Sequence, residues 1–290
     1  MPLNSCLIIH RPSKLNLIIF AKIFFMTTCT VNINGVNKSF EVEGDFFWGE
    51  DECLFNPNDN VISKTNWVDK GYTITHLLSD EDFTRLKQSV KNTFIRILKE
   101  NDIEVAEDFE LEHYHRYVTT NDLHNKIIFK TRELTNDDFD FDLEKIVEKC
   151  TALVGYELAS YNPELGRAHV QLRVNRPQSL DINPLHRDGY IGVYKNCINI
   201  WIPMAGCNLK SNLPMLPGSH LVNEKDILRT ANRGAKINGN VYNVPCIMDV
   251  KGGLNLVREE IKDGDGIVFT PFLIHGAAFN ENPDLTQITH

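Results

Sequence analysis

The chain has 290 residues, 42% hydrophobic and 24% charged, with a formal net charge of −9. That length and composition suit one large globular domain with helical additions, and no repeat or low-complexity tract interrupts it. An acidic chain offers no basic field for phosphates or anionic lipid, which argues against a nucleic-acid partner. Seven cysteines stand singly without a Cys-x-x-Cys pair, so a disulfide framework or thiolate zinc site is not indicated and a reducing cytoplasm is the expected location.

Leu7 to Phe25 is apolar but is broken by His10, Arg11, Pro12, Lys14 and Lys22. It falls short of the ~20 apolar residues of a membrane span. It reads either as a signal peptide interrupted by Lys22 or as sequence upstream of a true start at Met26. Residues 1–29 are therefore set apart as an N-terminal extension. Residues 30–70 hold a hairpin followed by an irregular segment, and 71–290 form the main domain. In the hairpin, over 30–42, Val31 and Ile33 alternate before Asn34-Gly35, which supplies the two positive-φ residues of a type I′ turn.

From Gly71 the pattern sharpens. Tyr72, Ile74 and Leu77 predict a short strand, Ser79 a helix cap with Asp82 at the capping-box position, and Phe83, Leu86, Val90, Phe94 and Ile97 one helical face. A second helix is expected from about Asp138 to Val154, with Leu143, Ile146, Val147, Cys150 and Val154 on one face and Gly155 as its stop. The acids from Asp137 to Glu144 lack the glycine and spacing of a calcium loop and suit a helix N-terminus.

Beyond residue 165 short β runs take over: His169 to Asn175, Gly189 to Tyr194, Ile198 to Met204, Val241 to Met248, Gly266 to Phe269 and Leu273 to Gly276. Separated by Gly, Pro and Asn turns, they predict a mainly β barrel or jelly roll buttressed by the preceding helices. Within them His186-Arg187-Asp188 puts two metal-ligand types at i and i+2, on one face of a strand. Taken alone, such a triplet also arises as a surface ion pair. His275, on a later strand, is the natural third ligand. Two histidines and one carboxylate leave coordination positions open, as Fe(II) requires when it must take both a cosubstrate and oxygen. His113 and His115 form another i, i+2 pair beside Glu112, without a partner segment.

The flanking segments carry a resemblance. Asn183-Pro184-Leu185 precedes the triplet; Ile200-Trp201-Ile202-Pro203 and Leu216-Pro217-Gly218-Ser219-His220 follow. Asp263-Gly264-Asp265-Gly266, Ile267-Val268-Phe269 and Leu273-Ile274-His275-Gly276-Ala277 come next. In this order they resemble the phytanoyl-CoA dioxygenase-like branch of the Fe(II)/2-oxoglutarate-dependent oxygenases, over roughly 71–289 and most specifically over 169–280. The resemblance implies a double-stranded β-helix (a cupin-like jelly roll of eight main strands) with iron held by His186, Asp188 and His275. It implies 2-oxoglutarate and molecular oxygen as cosubstrates, decarboxylation to succinate, and hydroxylation of a small organic substrate. His220 becomes a turn and packing residue.

One position departs from the family pattern. Where an arginine would meet the distal carboxylate of 2-oxoglutarate, Gln287 stands, in Leu285-Thr286-Gln287-Ile288-Thr289-His290. A neutral amide there would weaken the cosubstrate by about one order of magnitude. Arg173 is the candidate substitute: Val170, Leu172 and Val174 face one side, so Gln171, Arg173 and Asn175 face the other. Asn199 and Trp201 likewise alternate against Ile198, Ile200 and Ile202. The expected cosubstrate residues are Gln171, Arg173, Asn199 and Gln287, and the expected substrate residues Arg187, Tyr190 and Trp201. Asn208, Lys210, Asn223, Arg229 and Arg233, in the 208–240 loops, hint at a polar substrate. A metal-binding member without turnover and a cupin-type isomerase or lyase stay open as alternatives, and nothing sets an oligomeric state.

Overall fold

The computed structural model describes residues 25–231, 234–237 and 239–290. The two readings of the segment before Met26, and Arg233, fall outside the described residues, apart from Phe25. Strand β1 (Phe25–Ile33) returns as β2 (Val36–Gly44) through Asn34 and Gly35, at φ 49° and 87°. These are the paired left-handed conformations of the expected turn. The hairpin is longer than the alternation at Val31 and Ile33 predicted, and it takes in residues 25–29. Cys29 continues the buried face of Val31 and Ile33, with Thr28, Thr30 and Asn32 outside. Read as one more isolated cysteine, it hid the register.

After β3 (Phe46–Trp48) the chain runs through turns to β4 (Tyr72–His76) and α1 (Asp80–Lys99). Ser79 accepts from the Asp82 amide at 3.2 Å, and the expected apolar face of α1 is buried. Helix α2 (Asn121–Thr131) had no clear signature, because it buries His124 and Thr131 beside Ile127 and Ile128 and leaves Phe129 exposed. The next helix, α3 (Glu144–Val154), starts later than expected. Residues 136–138 form a separate one-turn 3-10 helix closed by a Thr135–Asp138 capping box, and Phe139 and Phe141 enter the core between the two.

The rest is mostly short strands. β5 (Arg173–Asn175), β6 (Asn199–Trp201), β7 (Pro203–Ala205), β8 (Met215–Leu216), β9 (Ile227–Thr230) and β10 (Ala235–Ile237) come first. They are followed by β11 (Asn240–Tyr242), β12 (Ile247–Val250), β13 (Asn255–Leu256), β14 (Asp265–Phe269), β15 (Ile274–His275) and β16 (Gln287–Thr289). One layer runs β4, β14, β6 and continues through β7, β16, β5, joined by reciprocal 3.0 Å bonds between Ile202 and His290. Val170, Leu172, Val174, Ile202, Val268 and Ile288 pack this layer on the helices.

The second layer sets the segment around His186 beside β15, β15 beside β8, and β8 beside the Val257 end of β13. Leu185 and Ile274 pack with the β1–β2 hairpin, Ile247 and Ile237, so the alternate residues His186 and His275 take the opposite side. This is the double-stranded β-helix expected, mainly β with flanking helices.

The Gly189 to Tyr194 run is not a strand. It forms two 3-10 turns whose local bonds, Ile191 N to Asp188 O at 2.9 Å and Tyr194 N to Ile191 O at 3.0 Å, satisfy the backbone without a ladder. Glycines at 189 and 192 outweigh the β propensity of Ile191 and Val193. The His169 run likewise narrows to β5, its first half bonding the exit of α2 through Val170–Leu134 and Leu172–Thr131. Among the described residues no helix is long and apolar enough to cross a membrane.

Candidate metal centre

His186 and His275 lie opposite each other on bridged segments, with reciprocal backbone bonds of 2.9 and 3.0 Å. Gly276, at φ 115°, permits this closeness, since a Cβ there would lie 2.2 Å from the Pro184 carbonyl oxygen. Each ring is locked by a backbone carbonyl two residues earlier: His186 Nδ1 to Pro184 O at 2.7 Å, His275 Nδ1 to Leu273 O at 2.9 Å. A carbonyl only accepts, so each Nδ1 carries the proton and each Nε2 presents its lone pair.

Those Nε2 atoms converge on Asp188, His186 at 3.3 Å from Oδ1 and His275 at 3.5 Å from Oδ2. One ligand atom from each residue lies within 4.8 Å of the others. Such separations suit three donors about 2 Å from one ion on one side of it. Asn199 Nδ2 donates to Asp188 Oδ2 at 2.5 Å, which orients the carboxylate.

Burial alone would raise the Asp188 pKa, but His186, His275 and Arg173 together hold it well below the usual carboxylate range. Burial and the neighbouring His186 push His275 down to about 4, against the opposing pull of Asp188. At neutral pH His275 is thus a neutral imidazole and Asp188 a carboxylate, the protonation states a divalent cation needs of such ligands. The mixed nitrogen and oxygen donors of the set suit Fe(II).

Other expected residues divide sharply. Arg173 stands opposite Thr289 in the β5–β16 register, near enough to Asp188 for each to perturb the other electrostatically. Gln171 is half-buried on the same side of that segment. Gln287 is 3% exposed and spends its amide within the protein, donating to Ser211 O at 2.5 Å and accepting from Asn175 at 3.0 Å. Asn199 donates to Asp188 rather than facing an open position.

The expected substrate residues are placed otherwise. Arg187, fully buried, pairs with Glu224 and donates to Ser219 O, facing away from His186 and Asp188. Trp201 is 5% exposed and packs with Tyr72, Met215, Ile267 and Phe269. The Tyr190 ring lies 4.7 Å from the Arg229 guanidinium, which is equally close to Phe47. The expected strand is not formed at 186–188: His186 makes an isolated bridge to His275 and Asp188 opens a 3-10 turn, with Arg187 extended between them and its side chain taken up by Glu224.

His115 bonds Thr286 and Asp284, away from the centre, and among the described residues the metal-capable cluster does not include His113. His220 donates from Nε2 to Val68 O at 2.7 Å and packs on Phe55, the packing role expected of it. Sequence reasoning missed Glu224, whose acidic side chain in a polar loop gives no hint of burial.

Fold and site together define a β-helix protein with a two-histidine, one-carboxylate centre. Residues 67–286 match the family Phytanoyl-CoA dioxygenase (PhyH), and the chain belongs to it. The protein is an oxygenase of the iron and 2-oxoglutarate type, with iron, 2-oxoglutarate and oxygen as its cofactors. Among solved structures it is similar to AviO1 from Streptomyces viridochromogenes Tue57, at 17% identity over 76% of this chain and 87% of that one, with a TM-score of 0.42. EctD from S. alaskensis, crystallised with 2-oxoglutarate and 5-hydroxyectoine, is 14% identical over 84% and 82%, with a TM-score of 0.46. No curated protein matches the chain significantly.

Proposed function

We propose that the protein is a 2-oxoglutarate-dependent dioxygenase that hydroxylates a C–H bond of a small organic substrate, and that Arg173 meets the distal carboxylate of 2-oxoglutarate. The observation that carries this reading is the carbonyl-locked pair His186 and His275 converging with Asp188. When bound there, iron supplies oxygen activation coupled to decarboxylation of 2-oxoglutarate to succinate. The chain's own part is to fix Nε2 of both rings as donors and to hold Asp188 ionised. Asn199 occupies Oδ2 of that carboxylate, which leaves Oδ1 the better metal donor. Arg173 is favoured over Gln287 because its charge is unmatched by an ion pair among the described residues, whereas both ends of the Gln287 amide are engaged.

The test is succinate formation from 2-oxoglutarate by the Fe(II)-loaded protein in air. Bound iron without succinate would support a member without turnover; metal-dependent conversion without 2-oxoglutarate consumption would support a cupin-type isomerase or lyase. Arg173→Ala should raise the 2-oxoglutarate requirement at least tenfold, the loss of a charge-assisted contact. Gln287→Arg should not tighten binding.

A further inference from the structure

The segment that follows Asp188 leaves the metal centre and comes back to it. Gly189 N donates to Pro271 O at 2.8 Å, and a Cβ at that glycine would lie 2.5 Å from Cδ1 of Phe272, so the chain is pinned as it departs. It returns at Asn199, which stands opposite Phe269 on β14 and donates to Asp188 Oδ2 at 2.5 Å. Residues 189–198 thus form a loop whose neck closes on the Asp188 carboxylate.

Solvent reaches the centre at that neck. The Asp188 side chain is 25% exposed, against 5% for His186 and 7% for His275. A molecule that approaches the centre from this side passes the loop.

Beyond the neck the loop is held lightly. Every residue from Ile191 to Ile198 is half-buried or exposed, and so is every residue from Gly155 to His169, between α3 and the approach to β5. The two segments meet where Tyr194 Oη donates to Glu164 Oε2 at 2.7 Å and lies 3.5 Å from Asn162 Oδ1. One residue on, Lys195 O accepts from Asn60 Nδ2 at 3.1 Å. A segment with few buried contacts opens at low free-energy cost, and water readily replaces a bond between an exposed carboxylate and a phenol. Neck and body therefore differ: the neck is built onto β14 and its exit, while the body is latched near the surface.

We propose that residues 191–198 are a gate on the metal centre, latched shut by the Tyr194–Glu164 bond. Open, the gate admits metal and small molecules; shut, it keeps water from the centre. The proposal rests on the assignment of the metal to His186, Asp188 and His275. A gate alters how fast a ligand comes and goes but leaves its equilibrium affinity alone, because opening speeds both directions equally. A group that shapes the site alters affinity instead.

The test follows Co(II), whose bound form absorbs visible light, as it enters the metal-free protein in stopped flow and as it is released into excess EDTA. Tyr194→Phe and Glu164→Ala should each raise both rates by roughly threefold to tenfold, the shift in opening expected from losing one ordinary hydrogen bond, with the Kd unchanged. Amide hydrogen exchange should locate the motion. The Tyr194 and Cys197 amides, which bond Ile191 O and Tyr194 O inside the loop, should exchange faster in both variants, while the Gly189 amide keeps its wild-type rate. Urea midpoints should match wild type, since Tyr194 is only half-buried and Glu164 is exposed.

Unchanged Co(II) rates in both variants would overturn the gate. Faster release with a weakened Kd would overturn it too, since Tyr194 would then support Asp188 rather than act as a latch. Wild-type protein that binds no Co(II) would sink the metal assignment, and the gate with it.

Discussion

Glu224→Gln is the sharpest probe of how the centre is held. Arg187 sits between His186 and Asp188 in sequence and is 0% exposed, and its partner Glu224 is 1% exposed. Glutamine keeps the shape and one acceptor but removes the charge, stranding a guanidinium that cannot deprotonate. Breaking one side of a buried pair costs about 3–5 kcal/mol. Arg187 keeps the Ser219 and Val222 carbonyls, so a loss of about 3 kcal/mol is expected. With a urea m-value of about 3 kcal/mol/M for a domain of this size, the unfolding midpoint should fall by roughly 1 M. Because Arg187 anchors the backbone between His186 and Asp188, metal affinity should fall at least tenfold as well. The double variant Arg187→Met/Glu224→Leu should recover most of the stability, since an apolar pair carries no desolvation cost. A Glu224→Gln midpoint within about 0.2 M of wild type would refute the energetic argument. Lost stability with unchanged metal affinity would refute the coupling to the centre.

Further outcomes follow from the same geometry. His186→Ala, Asp188→Ala and His275→Ala should each lose stoichiometric Fe(II) binding with the circular dichroism spectrum unchanged, whereas His113→Ala should bind as wild type does; wild-type affinity in Asp188→Ala would remove the assignment. Asn199→Ala should retain the metal but bind it roughly tenfold more weakly, measured by chelator competition, because Asp188 loses the donor that orients it. Acid should destabilise the fold well before carboxylates protonate. His124 and His220, at 4% and 0% exposure, are each pushed down to about 4 by burial, while the unfolded chain takes up protons near pH 6.5. Their contribution is complete above about pH 6.5 and is lost as pH falls toward 4, by up to about 3 kcal/mol for each histidine. Urea unfolding of the metal-free protein at pH 7.5 and 5 checks this, and equal stabilities would contradict it.

The clustering of His186, Asp188 and His275 was legible because metal chemistry calls for particular residue types at a fixed spacing, and an extended backbone turns that spacing into a shared side. Hairpin turn and α1 were legible for a similar reason: Asn34-Gly35 and Ser79 act locally. Elements specified by tertiary context were not. Helix α2 fills its inner face with His124, whose ring bonds Tyr114 and lies 3.3 Å from Asp181, and no apolar pattern announces such a network. The stretch after Asp188 looked like a strand by propensity but closes local turns. Arg187 looked like a pocket residue from its adjacency to His186 and Asp188, although an extended backbone sends neighbouring side chains to opposite sides.

The cosubstrate arginine shows where residue-by-residue comparison runs out. Gln287 occupies the strand on which an arginine was sought, and it is built into the layer by Asn175 and Ser211. Placing a guanidinium there would break both bonds and bury a second charge close to Arg173. The neighbouring strand offers an alternative: β5 pairs with β16 in antiparallel register, Asn175 opposite Gln287 and Arg173 opposite Thr289. A cation on β5 therefore projects from the same side of the same layer, two residues along its strand from the partner of Gln287. A charge can pass from one strand to its neighbour while the anion it serves keeps its place, because the ligand responds to the field and the donors rather than to the order of the chain. On that argument Gln287→Arg combined with Arg173→Gln should restore 2-oxoglutarate binding lost in Arg173→Gln alone, measured by calorimetry on the Zn(II)-loaded protein. Failure of the double variant to recover at least part of the affinity, with the fold intact, would mean that the two positions do not address one carboxylate.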